Sequence, residues 1–146
     1  LQTFLPSQIR EKITNKIFKK VFKSNEKNFS KKLYMNKNHI KEMFDNGMSF
    51  GSHGDNHLWW KYLSYNLQMK ELKNSINFFK QIGVYNQNFS VCYPYGSFKS
   101  NSIDILKKCN VKFALTTELG SVNKNNVRHN SKLPRYDTND FKKKLN

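Results

Sequence analysis

The chain has 146 residues and is poor in most of the residue types that would settle its class at a glance. Only two cysteines are present, Cys92 and Cys109, with neither a metal-ligand spacing nor a disulfide framework, so they are read as free thiols in a reducing compartment. Three prolines and six glycines leave no collagen-like or Pro/Gly-rich segment. No run approaches the roughly 18 apolar residues of a membrane span. The opening "LQTFLPSQIREKI" lacks an initiating Met and the charged head and apolar middle of a signal peptide. The expectation is a soluble chain, processed or with its natural beginning upstream, in an undetermined compartment. Acids number 10, and Leu1 to Lys32 holds no aspartate. Arginine is scarce too: only Arg10, Arg128 and Arg135 stand among 26 basic residues.

What is present suits one α/β domain over residues 1–146, with 37% hydrophobic and 14% aromatic residues to build one core. The formal charge of +16 invites a nucleic-acid reading. Its make-up argues against a specific one. Lysines are spread among asparagines, and the guanidinium suited to bidentate recognition is rare. Non-specific attraction to acidic polymers or anionic membranes remains expected.

Helix and strand signals alternate. Ile9, Ile13, Ile17, Val21 and Phe22 recur at helical spacing behind Ser7 as N-cap. Asn25 to Leu33 reads as a loop. "NKNHIKEMFDNG" reads as a helix from about Asn36, with Ile40, Met43 and Phe44 inward and Gly47 as stop. A helix over "YNLQMKELKNSINFFKQIG" puts Leu67, Leu72, Ile76 and Phe79 on one face, and "SNSIDILKKCN" gives another. Strands are expected near Ser49–Gly51, Phe89–Tyr93 and Phe113–Thr116, parallel and neighbouring, because a helix separates each from the next. Glu118 to Asn130 is loop-like, and the tail from Lys132 ends in a short helix.

Three stretches could carry chemistry. "FGSHGDNH" sets His53 and His57 four apart, where two imidazoles can close on one ion with Zn–N near about 2.0–2.1 Å. Spacing alone leaves open two surface histidines in a loop. Asp55 between them is either a carboxylate ligand or a cap. "VCYPYGS" runs a strand into Tyr93, Pro94, Tyr95 and Gly96, at the strand end where α/β folds bind ligands. Gly96 would admit close backbone approach and a nearby N–H could serve an oxyanion, unless this is an ordinary turn. In "LPRYD", Arg135 is either a charge facing the site or part of a surface turn.

"FGSHGDNH", then "VCYPYGS", then "LPRYD", in this order, resembles the polysaccharide deacetylases, metal-dependent carbohydrate esterases; the resemblance spans about Lys32 to Asp140. It implies a partial, distorted (β/α) barrel. It implies a divalent metal, zinc by preference, on His53 and His57, and an oxyanion donor at the backbone N–H of Tyr95. The substrate would be an acetylated glycan, an amino-sugar polymer or cell-surface polysaccharide, held along Tyr93, Pro94, Tyr95, Gly96, Trp59, Trp60 and Arg135. The ion would activate water for attack on an N-acetyl or O-acetyl carbonyl.

The departures bear on activity. The family's first motif, Thr-Phe-Asp-Asp, supplies the base and the third metal ligand, and nothing in Leu1 to Lys32 matches it. The arginine many relatives carry before the proline is Cys92 here, and His129 in "VRHNS" is a poor match for the late acid histidine. The domain is therefore expected to be N-terminally incomplete, its metal weakly held, and its activity weak or absent as an isolated chain. Asp55 is the substitute base if there is one. A barrel edge left open calls for cover by the N-terminal helix, by self-association or by a missing segment. The alternatives are a non-catalytic carbohydrate-binding remnant in an aromatic groove and a basic nucleic-acid-binding module.

Overall fold

A computed structural model describes residues 5–22, 25–127 and 130–144. Arg128 and His129 lie outside the described residues. The chain divides into two units, residues 1–40 and 41–146.

In the first unit, α1 covers Ser7–Val21 and α2 covers Glu26–Leu33. Helix α1 starts at Ser7 itself with Pro6 in the cap position, so Ser7 is not the N-cap. The segment from Asn25 is helical where a loop was expected. Asn25 accepts the Lys27 N–H through its side chain at 2.9 Å and starts the helix. Phe29 then closes on Phe18 and Phe22 at ring separations of 5.7 and 4.6 Å. A polar, basic surface concealed that single apolar anchor. Helix α3, Lys37–Asp45, crosses from one unit into the other; the Asn36 side chain caps it on the His39 N–H, and Gly47 ends it at φ 89°.

The second unit is an α/β fold around a partial parallel sheet. Helix α4 (Tyr65–Gln81) leads to β1 (Ser90–Cys92), α5 (Ser100–Lys108) to β2 (Phe113–Leu119), and the short α6 (Lys124–Val127) to β3 (Leu133–Arg135). The sheet order is β1-β2-β3, both pairings parallel, as helical crossovers require. Short 3-10 turns lie at Trp60–Tyr62, Pro94–Gly96 and Thr138–Lys144. Three elements correct the sequence reading of the C-terminal third: β2 continues to Leu119, α6 is a helical turn inside the expected loop, and "LPR" is a strand because Leu133 and Arg135 pair with Leu115 and Leu119.

The strand expected at Ser49–Gly51 is reduced to a single parallel bridge, Ser52 with Val91. The Ser52 N–H donates to the Ser90 carbonyl and the Cys92 N–H to the Ser52 carbonyl, both at 2.8 Å. Gly51 runs so close to Ser90 that a Cβ there would stand 2.8 Å from the Ser90 carbonyl oxygen. Three residues later Gly54 turns the chain at φ 79°, so the ladder cannot extend.

Trp60, Leu72, Ile76, Phe89, Val91, Tyr93, Ile105, Leu106 and Ala114 form the core of this unit. Each fully buried large apolar side chain contributes about 1.5–3 kcal/mol. Leu67 does not join the expected α4 face and is 50% exposed. It lies five residues, about 140° of helical turn, from Leu72. Gln68, Glu71 and Ser75 are buried on that face instead. Two of them are hydrogen-bonded there: Gln68 donates to the Leu63 carbonyl and accepts from Ser102, and Glu71 accepts from Asp55 and Asn56.

Candidate functional site

The parallel bridge at Ser52 and the end of β1 at Cys92 release two loops side by side, at the carboxyl ends of parallel strands. The first loop carries His53 and His57; the second is the Pro94–Gly96 turn. The Ser52 hydroxyl accepts the Gly54 N–H at 3.1 Å and opens the first loop. His57 has a left-handed backbone, φ 53°, and so does Tyr95, φ 59°. Non-glycine residues enter that region at a cost of order 1–3 kcal/mol. Among the described residues only Asn110 shares it, so the strain gathers where these two rings meet, 4.6 Å apart.

The His53 Nδ1 lies 2.8 Å from the Cys92 carbonyl oxygen. A carbonyl only accepts, so Nδ1 carries the proton and the Nε2 of a neutral ring is bare. That Nε2 is 3.0 Å from the Nε2 of His57. Two Zn–N bonds at a tetrahedral angle would separate their nitrogens by about 3.3 Å. The pair therefore fits two positions of a divalent-ion shell, and its outer hydrogen bond is the kind that orients a ligating imidazole. Both rings are exposed. Partial burial, and then the charge of His53, lower the His57 pKa and favour the neutral ligating form. No group of three His, Cys, Asp or Glu side chains able to hold a metal occurs among the described residues.

Rings continue from the histidines. His57 packs on Tyr95, Tyr95 stacks on Trp59 at 4.3 Å and 9°, and Trp59 meets Tyr62 at 6.2 Å. The turn bearing Tyr95 is closed by the Gly96 N–H on the Tyr93 carbonyl and the Ser97 N–H on the Pro94 carbonyl. The Tyr95 N–H takes part in neither bond.

The family model for polysaccharide deacetylase matches residues 11–114, more than half of the chain. The chain belongs to the polysaccharide deacetylase family. It is similar to the Streptococcus pyogenes deacetylase PplD, solved in complex with acetate, at 28% identity and a TM-score of 0.63, over 69% of this chain and 43% of that one. The deacetylase domain of BpsB from Bordetella bronchiseptica shares the fold, with a TM-score of 0.56 at 16% identity over 70% of this chain and 48% of that one. The chain thus spans less than half the length of either structure. No curated protein matches it.

Within this deacetylase-type fold several expected site residues stand elsewhere. Tyr93 and Trp60 do not line a groove: both are buried, packed edge to face at 5.7 Å. Tyr93 donates its hydroxyl to the Ser131 carbonyl, and burial raises its pKa. Trp59 and Trp60 are neighbours entering a 3-10 turn, so one ring goes to Tyr95 and the other to the core. Pro94 is buried as well. Gly96 admits β2 and not a ligand, because a Cβ there would collide with the Thr117 side chain, and its φ is 64°. Arg135 is neither a buried charge nor a turn residue. It ends β3, exposed, donating Nε to the Thr116 carbonyl at 3.0 Å, and its charge partly offsets the burial that raises the Cys92 thiol pKa.

Asp55 is not a ligand beside the histidines. Its carboxylate accepts from Asn74 at 2.9 Å and from Asn56 at 3.3 Å. Sequence reasoning missed two residues. Tyr62 extends the ring row, and the i,i+3 spacing of "WWKY" was the available signal. Glu71 on α4 is buried and bonded to the histidine loop; no periodicity rule separates it from the solvated glutamates.

Proposed function

We propose that the second unit carries deacetylase chemistry, the hydrolysis of an N-acetyl or O-acetyl group on a carbohydrate, with little or no turnover by the isolated chain. The observation behind this reading is the His53–His57 pair, with its nitrogens converging and one ring oriented by the Cys92 carbonyl. A divalent ion held there, zinc by preference, would polarise the acetyl carbonyl and lower the pKa of water. His53 and His57 would hold it, weakly, since two neutral imidazoles lack the charge of a carboxylate ligand. The Tyr95 N–H, outside the turn's own bonds, serves as a donor to an acetyl oxygen. Trp59, Tyr95 and Tyr62 offer flat faces to the C–H faces of sugar rings. In this reading residues 1–146 belong to one partial barrel domain whose motif match spans about 32 to 140, and the third ligand and the base come from another segment or another copy.

The test is acetate release from acetylated chitooligosaccharides with zinc or cobalt, beside a metal titration. Weak zinc binding lost in both His53→Ala and His57→Ala, with negligible release, is expected. Unchanged binding in either variant removes the pair from the site. Rapid turnover abolished by Asp55→Asn would make Asp55 the base.

A second reading is a carbohydrate-binding remnant without catalysis. The engagement of Asp55 with Asn74 favours it, since it occupies the one acid within the motif. Glycan binding indifferent to zinc, with no acetate released even on adding the missing segment, would select it.

A further inference from the structure

We infer that Glu71 is a positioning residue for the metal-ligating histidines: a buried carboxylate on α4 that fixes the shape of the loop between them. The inference rests on the site reading above. Glu71 is 5% exposed, the level of a core residue. One oxygen, Oε2, accepts the backbone N–H groups of Asp55 and Asn56 at 3.0 and 2.8 Å. The other, Oε1, accepts from the Asn56 side chain at 2.7 Å. Both oxygens are thus committed to the two residues midway between His53 and His57. Asn74, one turn further along α4, takes the Asp55 carboxylate, so the helix grips both central residues.

The grip answers a local conformational cost. Gly54 and His57, on either side of these residues, have positive φ of 79° and 53°, and a loop of five residues has no ladder of its own to hold such angles. Ionised acceptors of backbone N–H are among the stronger uncrosslinked restraints. The fit at Gly54 is close, since a Cβ there would lie 3.3 Å from Oε2. None of this requires Glu71 to touch an ion or a substrate. It acts by presenting His57 to His53, and outer-shell partners of this kind change metal affinity by about 10–100-fold when removed.

The test compares Glu71→Gln with Ser75→Ala, a buried polar change one turn along the same helix. Glu71→Gln keeps the volume but sets a donor against the Asn56 amide. Three readouts are taken on the full chain: melting temperature, cobalt(II) affinity by absorption titration, and metal-free amide exchange at Asp55 and Asn56. In Glu71→Gln, cobalt affinity is expected to fall about 10–100-fold and the two amides to lose protection. Ser75→Ala is expected to leave both local readouts near wild type. Cobalt affinity within twofold of wild type with protected amides in Glu71→Gln would overturn the inference, as would equal loss in Ser75→Ala. If Glu71→Gln does not fold, Gly54→Ala presses on the same contact from the loop side and is read the same way. Wild-type chain that binds no cobalt would defeat the site reading, while amide exchange would still decide whether Glu71 holds the loop.

Discussion

Helices α1 and α4 are written in nearly the same code and meet opposite fates. Each carries apolar residues at helical spacing over about four turns. Yet Ile9, Ile13, Ile17 and Val21 of α1 are 45–64% exposed, while Leu72 and Ile76 of α4 are at most 7% exposed. Within residues 1–40, α1 has one partner, α2, and the Phe18–Phe22–Phe29 contact uses it up. No described residue of that unit is buried. Charge divides in the same way. Residues 1–40 hold 10 of the 26 basic and 2 of the 10 acidic side chains, giving them half the net charge in little more than a quarter of the length. Helical periodicity supplies an apolar row, and only a second layer turns that row into a core.

The largest test of this contrast is to truncate one apolar side chain in each unit. Trp60→Ala, at the centre of the second unit, is expected to cost about 3–5 kcal/mol in denaturant unfolding. A cost below about 1 kcal/mol would mean the core is not where the buried rings place it. Gly96→Ala comes next, at about 2 kcal/mol or more, because it adds a Cβ against Thr117 at a backbone angle that disfavours one. Chemical denaturation measures this as well, and a neutral result would remove the packing of the Pro94–Gly96 turn on β2.

Between the two tryptophans the contrast sharpens to adjacent residues. Trp59→Ala is expected to cost about 1 kcal/mol of stability, the scale of its stack on Tyr95, while abolishing any glycan binding that calorimetry detects. Equal destabilisation by Trp59→Ala and Trp60→Ala would erase the division into platform and core.

A smaller effect is pH-dependent. The folded chain lowers the His57 pKa, so near the ordinary histidine value of about 6.5 the unfolded chain binds more protons. Stability is then complete above that pH and declines as the pH falls through and below it. Melting curves from pH 8 to 5 should show a decline that is shallower in His57→Gln, and metal affinity should fall over the same range. The smallest effect is Ile17→Ala on the exposed row of α1, within about 0.5 kcal/mol. A much larger loss would show that α1 has a partner in solution.

Much of the fold could be read from the residues. The helices read from Asn36 to Gly47 and from Tyr65 to Gly83 lie where the apolar spacing and the stop glycines put them. The parallel arrangement followed from helices between strands. Helix α2 was hidden by lysines around one phenylalanine, and β3 by a proline in a three-residue strand whose pairing with β2 no local pattern encodes. At the site, the spacing of His53 and His57 was legible, but not which neighbouring group orients each ring.

The sequence by itself determined the family, through the order of its motifs, and the alternation of helix with strand, because caps, periodicity and turn residues act over a few positions. Only the tertiary structure decided that Trp59 stacks on Tyr95 while Trp60 and Tyr93 fill the core, that Asp55 answers to Asn74, and that Glu71 is buried beneath the loop. These are choices between chemically similar neighbours. They are made by which groups are left to share the space and the hydrogen bonds once α4 lies along the histidine loop, 16 residues in sequence from Asp55 to Glu71 and 3.0 Å apart in space.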